Sequence, residues 1–455
     1  MLPRLATLWT TVCLLSLPGW AVAAEATWKA GIAKAVITPQ EPIWMAGYGG
    51  RTKVAEGKEM DLFIRVVALE DASGERAVIL SSDTLGFSKF IYDTVAEQVQ
   101  KDYGLSRAQF VLGASHTHCG PVLRDALYDT YPLTPENIEQ TNKYSDWLTA
   151  EVVKTIGVAL KNMQPATVSH GVGDAEFGVN RRTNREADVP KLREGNLLLG
   201  PVDHSVPVLA VHDAGGKLVA VVFGYACHNT VMDYYLWSGD YAGFAQNALE
   251  AEHPGVTACF LMGCGADQNP LPRRSVELAK KYGTMLATAV NAVLPNVSPL
   301  KSKIETNHAY IPLKLGPMMA DEELKKQAAA SPNYVQRWAA RMLKWKESGK
   351  PFPETYQYPI QAWRLGGEQL MLTMGGEVVV DYAHRFKADF GDQAWVFGYC
   401  NDVMAYIPSQ RVLMEGGYEG QSSMWVYGMP CLRWADGIES DIAKGMEQLV
   451  NQLGK

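Results

Sequence analysis

Two histidines stand two residues apart in the stretch "LGASHTHCGP", which covers residues 112–121. The preceding run, "AQFVLGAS", predicts a strand, and side chains alternate between the two faces of an extended backbone. His116 and His118 are therefore predicted to face the same side. Imidazole is the commonest metal ligand and a common general base, so the pair indicates a metal or catalytic site. Two hydrogen-bonded structural histidines are the alternative that this motif leaves open.

Three further strand-like runs lead into side chains that can bind a metal. The run "VAVVFGYACH" ends at His228, "LMLTMGGE" brings Glu377 after a Gly-Gly turn, and "AWVFGYCNDVMAYIPS" carries Tyr406. Any one of these strand ends could be an ordinary turn. As a set they favour a metal site, because nitrogen and oxygen donors from distant segments are typical of a catalytic zinc.

Three other polar segments are candidates for the same pocket. In "FLMGCGADQNPLP" the glycines allow a close backbone approach to a ligand and are followed by Asp267 and Asn269. The loop "EFGVNRRTN" supplies Arg181, whose charge would suit a developing oxyanion; a solvated surface charge is the alternative. In "SGDYAGFA" a tight turn could aim the Asp240 carboxylate or a helix N-terminus at the site.

The elements that would position these residues alternate along the chain. Strand-like runs such as "AVILSSD" and "AQFVLGAS" are separated by helical patterns, and a further helix is predicted to begin at a Ser145 cap. This order predicts an α/β fold with mixed β-sheets flanked by helices. We find no repeat and no clear linker, so we predict one large catalytic domain over residues 25–455, with a helical insertion at about 315–358.

Composition excludes one class of partner. The chain has 455 residues, of which 47% are hydrophobic, and its formal net charge is -7 with Lys and Arg scattered along the sequence. Such a protein is globular and has no basic surface for a phosphate backbone, so nucleic acid is not expected as a partner.

The N-terminus has the three regions of a signal peptide. Arg4 precedes an apolar run, and Ala21-Val22-Ala23 has the small-x-small form of a cleavage site, so we predict that residues 1–24 form a signal peptide. An uncleaved anchor is the alternative, although Pro18 and Gly19 interrupt the run. The prediction implies export to the periplasm or the medium, with no later membrane-spanning segment.

Six cysteines would remain after cleavage, and none of them has the CxxC spacing of a structural zinc site. We interpret them as mostly buried thiols. Cys259–Cys264 and Cys400–Cys431 bridges stay open as alternatives, since export permits disulfides.

In combination and in order, the motifs resemble those of the neutral, non-lysosomal ceramidase family, zinc amidases that cleave the N-acyl bond of ceramides. The resemblance extends from "AGIAKAVITP" and "MAGYGG" through "SHTHCGP", "NRRTN", "CHNTVM", "SGDYAGFA", "GADQNP" and "GGE" to "GYCNDVMAYIPS" and "YEGQSS". It covers nearly the whole chain after the signal peptide.

The resemblance implies a role for each candidate residue. The implied zinc ligands are His116, His228, Glu377 and Tyr406. It also places His118 in the active site beside the metal, and implies that Arg181 and Tyr418 bind the substrate carbonyl and its developing negative charge.

The chain departs from the family pattern at Asn269, which stands where the family usually has a serine, and at Cys119, which also replaces a serine. An amide side chain cannot act as an acyl-accepting nucleophile. We therefore predict attack by a zinc-bound water, with proton transfer through His118. Asn269 could still bind the substrate or orient the water.

Three functional hypotheses follow. The first is an exported zinc-dependent amidase acting on ceramide or a related N-acyl lipid. The second is a zinc hydrolase of another amide, an ester or a lactone, and the third is a non-catalytic lipid-binding protein.

The insertion contains Val335, Trp338, Met342 and Trp345 at helical spacing, flanked by basic residues. Such a helix can make a peripheral membrane contact. Alternatively, it packs its apolar stripe on the protein core.

Overall fold

The structure is a computed structural model that describes residues 28–454, so the predicted signal peptide lies outside the described residues. The strands are β1 (Trp28–Val36), β2 (Gly57–Lys58), β3 (Phe63–Glu70), β4 (Arg76–Ser82), β5 (Phe110–Ala114), β6 (Gln164–Asp174), β7 (Gly178–Asn180), β8 (Ser205–Asp213), β9 (Leu218–Tyr225), β10 (Leu236–Trp237), β11 (Thr257–Met262), β12 (Gln268–Pro270), β13 (Ser298–Pro299), β14 (Ile304–Lys314), β15 (Thr355–Leu365), β16 (Gln369–Met374), β17 (Glu377–Val378), β18 (Trp395–Phe397) and β19 (Tyr406–Ile407). The α-helices are α1 (Lys89–Tyr103), α2 (Pro135–Lys161), α3 (Val189–Glu194), α4 (Asp240–Glu252), α5 (Val276–Val293), α6 (Asp321–Ala328), α7 (Tyr334–Glu347), α8 (Asp381–Phe390), α9 (Gln410–Glu415), α10 (Ser423–Val426) and α11 (Ile438–Gln452).

These elements stack in four layers. A mixed nine-stranded sheet has the order β11-β9-β8-β6-β1-β3-β4-β5, with β13 paired to β6, and a smaller sheet has the order β14-β15-β16-β18. Helices α1, α2, α4 and α5 pack on the outer side of the large sheet, while α8 and α11 pack on the small one. The prediction of an α/β fold with mixed sheets flanked by helices is confirmed.

Strand β3 shows why the strand sequences of the large sheet are almost continuously apolar. Its residues Ile64, Val66 and Ala68 belong to the core under the helices. The alternate residues Val67 and Leu69 belong to the core between the two sheets. A strand that is buried on both faces has no polar side, which removes the usual alternation.

The large sheet curls until its two edges meet. The Ser81 hydroxyl on β4 donates to the carbonyl of Phe260 on β11 at 2.6 Å. Gly113 on β5 has no room for a side chain, because a Cβ there would lie 2.3 Å from Leu261. This closure brings the residues that follow β5 and β9 to the same place, although the two strands are far apart in the sheet order.

Helix α2 begins earlier than predicted. Thr134 caps it, with Pro135 as the first helical residue, whereas Ser145 lies inside the helix and donates to the carbonyl of Thr141. Thr134 followed by Pro135 is a strong local signal for a helix start. It was missed because the first turns of α2 are polar.

The predicted helical region contains α6 and α7, which connect β14 to β15. Trp338 and Met342 on α7 are fully buried, and Trp345 packs against Phe352. The stripe therefore packs on the protein, so the packing alternative is correct for this helix. Within residues 28–454, no helix has both the length and the apolar character needed to cross a membrane.

The cysteines are buried thiols, as predicted. All six cysteines of the described residues are free and buried, so neither the Cys259–Cys264 nor the Cys400–Cys431 bridge is present. Burial raises the pKa of the Cys259 thiol to about 12.

Candidate metal centre

The two histidines of "SHTH" lie beyond the end of β5, in a turn. His116 has φ of 60°, a left-handed conformation that is uncommon for residues other than glycine. Strand alternation therefore does not explain why the two face each other, and that part of the prediction was wrong. The turn itself brings them together, with 3.3 Å between the Nε2 atoms of His116 and His118.

Backbone carbonyls orient two of the imidazoles. Nδ1 of His116 lies 2.6 Å from the carbonyl oxygen of Leu85, and Nδ1 of His228 lies 2.8 Å from that of Gly265. Each Nδ1 donates to its carbonyl, so a neutral ring in this orientation presents the lone pair of Nε2 to the centre. Burial lowers the pKa of His228 to about 4, which keeps this ring neutral at pH 7.

A short parallel pairing supplies the two oxygen donors. Strands β17 and β19 place Glu377 directly opposite Tyr406. Oε2 of Glu377 lies 3.2 Å from Nε2 of His116 and 3.1 Å from Nε2 of His228. The Tyr406 hydroxyl lies 3.2 Å from Nε2 of His228. Burial would raise the pKa of Glu377, but the two imidazoles hold it well below its usual range.

The donor set fits a metal ion of the zinc type. Nitrogens of His116, His118 and His228 lie within 4.8 Å of one another. Oε2 of Glu377 is buried and has no hydrogen-bond partner. A buried carboxylate oxygen that faces two imidazole lone pairs is costly unless a cation lies between them. Neutral imidazoles with carboxylate and phenol oxygens are ligands that zinc accepts.

Arg181 joins the metal centre to the loop that contains Asn269. Its guanidinium donates to the Tyr406 hydroxyl at 3.1 Å, to Oδ1 of Asn269 at 3.2 Å and to Oε1 of Glu419 at 2.8 Å. Pairing of β7 with β12 positions both segments, since Asn269 lies opposite Val179. Burial alone would lower the pKa of Arg181, but Tyr406 and Glu419 hold it well above its usual range.

A cleft of about 500 Å³ borders this centre, and its wall includes Arg181, Asn269 and Tyr418. Tyr418 begins a π-helical turn, is 41% exposed, and its ring centroid lies 5.1 Å from that of Tyr406. The arrangement places a phenol, a guanidinium and an amide beside the metal donors, where a substrate entering from solvent would meet them.

Sequence comparison identifies the family. The family model described as "Neutral/alkaline non-lysosomal ceramidase, N-terminal" matches residues 28–305, which is more than half of the chain. The chain belongs to this family. Curated relatives include neutral ceramidase B of Dictyostelium discoideum, with 27% identity over 217 residues, and the neutral ceramidase of Drosophila pseudoobscura pseudoobscura, with 30% identity over 123 residues. The two matches cover 46% and 26% of this chain, but only 30% and 18% of those proteins.

Solved structures share the ceramidase fold with this chain. A neutral ceramidase from Pseudomonas aeruginosa aligns with a TM-score of 0.66 at 19% identity, covering 88% of this chain and 72% of that one. A structure titled "Ceramidase complexed with C2" aligns with a TM-score of 0.67 at 17% identity, covering 93% and 76% of the respective chains.

Two acidic residues from the ceramidase motifs act on the backbone. The Asp267 carboxylate accepts from the backbone N–H of Val380 at 2.9 Å and from Asn180 at 3.2 Å. Asp240 accepts from the backbone N–H groups of Val231 and Met232. Asp267 thus fixes the segment after Glu377, and Asp240 fixes the loop after His228 rather than pointing into the cleft.

Three residues of this ceramidase-family site were not singled out from the sequence, although Glu419 lies in "YEGQSS" and Tyr399 in "GYCNDVMAYIPS". Tyr427 donates a hydrogen bond to Oε1 of Glu377, and Glu419 bridges Arg181 and Arg182. The ring centroid of Tyr399 lies 4.5 Å from that of His116. The motifs were a signal for Glu419 and Tyr399, whereas Tyr427 lies outside them and its contact with Glu377 is visible only in the fold.

Proposed function

We propose that this protein is an exported, zinc-dependent amidase that hydrolyses the N-acyl bond of ceramide or of a related N-acyl lipid. The observation that supports it is the convergence of His116, His228, Glu377 and Tyr406 beside Arg181, in a chain of the ceramidase family.

The four converging side chains would hold the zinc. Zinc bound by them supplies Lewis acidity toward a carbonyl and makes a water nucleophile available near neutral pH. His118 lies beside them, and burial together with the neighbouring His116 and His228 lowers its pKa well below 6.5. Its neutral ring can accept a proton from the attacking water and pass it to the leaving amine.

Donors remain for the oxyanion of the tetrahedral intermediate. Arg181 has five N–H groups and uses three in the contacts with Tyr406, Asn269 and Glu419, which leaves two. Tyr418 lines the same cleft, with the Arg181 guanidinium carbon 5.8 Å from its ring centroid, so its hydroxyl is the second proposed donor. Preorganised donors at this position stabilise charge that develops only in the transition state.

Asn269 assists and does not form a covalent intermediate. Its Oδ1 accepts from Arg181 and the residue lines the cleft, so its amide N–H groups are the proposed donors to a substrate. We expect Asn269→Ala to retain the metal and to lower kcat by about 10-fold, the cost of one neutral hydrogen bond. Metal analysis and steady-state kinetics measure both, and an acyl adduct on residues 264–270 in the mass spectrum would contradict the scheme.

A lipid substrate also requires access from an aggregate. Leu197, Leu199 and Met414 are the most exposed large hydrophobic side chains of residues 28–454, at 61%, 64% and 68%. Their segments contact the residues that follow Arg181, since Asn184 donates to the carbonyl of Leu199 and Arg182 donates to that of Gly416. We call these three exposed side chains the rim. The proposal includes peripheral membrane contact by the rim rather than by α7.

Replacing all three rim residues by serine should weaken ceramide hydrolysis in vesicles by about 10-fold or more, because burying each side chain contributes about 1.5–3 kcal/mol. Hydrolysis of a water-soluble short-chain N-acyl substrate should stay unchanged. The matched control is Val36→Ser with Val158→Ser, at side chains that are 49% and 42% exposed. Equal activity of the rim variant and this control on vesicles would contradict the rim's role.

One observation favours the second hypothesis, a hydrolase of another amide, an ester or a lactone. The cleft wall is mostly polar and includes Arg182, Asn184, Arg185 and Glu186. A polar head group would suit this wall better than a long chain would.

The deciding experiment is hydrolysis of a fluorescent N-acyl sphingosine by the purified protein, before and after chelation and with zinc restored. Zinc-restorable cleavage supports the proposal. A zinc-loaded protein that cleaves only esters or other amides supports the second hypothesis, and a protein that hydrolyses nothing on such a panel is left as a lipid-binding protein. N-terminal sequencing of the exported protein tests cleavage near residue 24.

A further inference from the structure

Tyr427 binds one of the two oxygens of the Glu377 carboxylate, and the other oxygen faces the metal centre. Its hydroxyl donates to Oε1, while Oε2 faces the Nε2 atoms of His116 and His228. A carboxylate with one oxygen held by a phenol cannot rotate freely, so the other oxygen stays aimed at the metal centre.

Tyr427 stands at the end of α10, and the insertion helix α7 holds that end. The indole Nε1 of Trp338 donates to the carbonyl of Met429 at 2.9 Å. Nη2 of Arg341 donates to the carbonyl of Gly428 at 2.7 Å. Gly428 has φ of 71°, and a Cβ there would lie 2.6 Å from Arg341. The two carbonyls that follow Tyr427 are thus both bonded to α7.

A second set of contacts joins both α7 and the end of α10 to the segment around Asp129. Arg341 pairs with Asp129 at 2.6 Å, and Arg337 donates to the carbonyls of Asp129 and Thr130, each at 2.8 Å. The Thr130 hydroxyl donates to the carbonyl of Val426 at 2.8 Å. Helix α7, the segment around Asp129 and the end of α10 therefore fix one another.

We propose that Tyr427 is a positioning residue for the metal ligand Glu377, and that the insertion helix α7 braces the metal centre by holding Tyr427. The proposal rests on the metal site of the proposed function. It gives the insertion a task distinct from membrane contact: to orient a ligand carboxylate from outside the ligand set.

The test is the zinc affinity of the full-length protein, measured by competition with a chromophoric chelator, together with the visible spectrum of the cobalt(II) form. Tyr427→Phe should lower zinc affinity by about 10- to 100-fold, as loss of an outer-shell partner does. It should also shift the cobalt bands, because the carboxylate changes its orientation. Tyr128→Phe is the matched control, since Tyr128 lines the same surface pocket but bonds to Asn142.

Arg341→Ala tests the brace. It should lower zinc affinity by a smaller factor, and the double variant with Tyr427→Phe should bind no more weakly than Tyr427→Phe alone, because both changes act through one hydroxyl. Lys346→Ala, which removes the ion pair between α7 and Asp321, should leave affinity unchanged.

Three outcomes would overturn the inference: zinc affinity of Tyr427→Phe within twofold of the parent, an unshifted cobalt spectrum, or additive losses in the double variant. These measurements need no substrate. A parent protein that binds zinc normally and hydrolyses nothing refutes the proposed activity alone, whereas a parent that binds neither zinc nor cobalt overturns both proposals.

Discussion

His116→Ala is expected to abolish zinc retention and turnover together. Nε2 of His116 lies within 3.3 Å of both Oε2 of Glu377 and Nε2 of His118, so its ring is central to the donor set. We expect the zinc content to fall to background after dialysis and kcat/KM to fall by more than about 100-fold, the upper range for outer-shell changes. Metal analysis by mass spectrometry and hydrolysis of the fluorescent amide measure the two effects.

Two further variants distinguish the loss of a metal ligand from an effect on folding. His116 has a left-handed backbone, which costs alanine free energy, whereas asparagine tolerates that conformation. His116→Asn should therefore lose zinc while keeping the thermal stability of the metal-free parent. His253→Ala, at a ring that bonds to Asn291, should change neither property. Full zinc content in either His116 variant would refute the ligand assignment.

Arg181→Lys is expected to lower kcat by about 10²- to 10³-fold, the cost of an oxyanion donor. Lysine keeps the charge but lacks the planar guanidinium group. It therefore cannot donate hydrogen bonds to Tyr406, Asn269 and Glu419 at once. The zinc content should remain close to that of the parent, since Arg181 contacts the ligand Tyr406 and no other predicted ligand.

Arg182→Lys is the matched control for this prediction. Arg182 shares Glu419 with Arg181 but turns toward Glu415 and Gly416, away from Tyr406. Its replacement should lower kcat by less than about 10-fold, as expected for a group that supports a contact rather than the transition state. Equal losses at both arginines would mean that the charge cluster, and not the fork of Arg181, matters.

Much of the site could be predicted because its residues end strands. The ends of β5, β9 and β16 lead to His116, His228 and Glu377, and each end is marked by an apolar run followed by small or polar residues. The prediction that they meet came from the shared chemistry of their side chains. What brings them together is the curled sheet, which depends on contacts such as Gly113 against Leu261 and has no local signature.

The rest depended on tertiary contacts that a pattern does not encode. The stripe at Trp338 and Met342 would look the same facing a membrane or facing α10, and only the fold decides. Tyr427 is one tyrosine among 20, and nothing in its neighbourhood indicates that it reaches a carboxylate 50 residues earlier. Long-range polar pairs of this kind are the least visible part of a sequence.

The positions of the proposed ligands along the chain determine the order in which they are synthesised. The histidines lie within residues 28–305, whereas the carboxylate and phenol donors, with the tyrosine that orients the carboxylate, follow more than 70 residues later. A nascent chain that stops short of residue 377 would have only the imidazoles of the proposed centre, and we expect it to hold zinc weakly. The proposed centre can be completed only once residue 406 has been synthesised, so we expect metal loading to come late, near or after the end of translation.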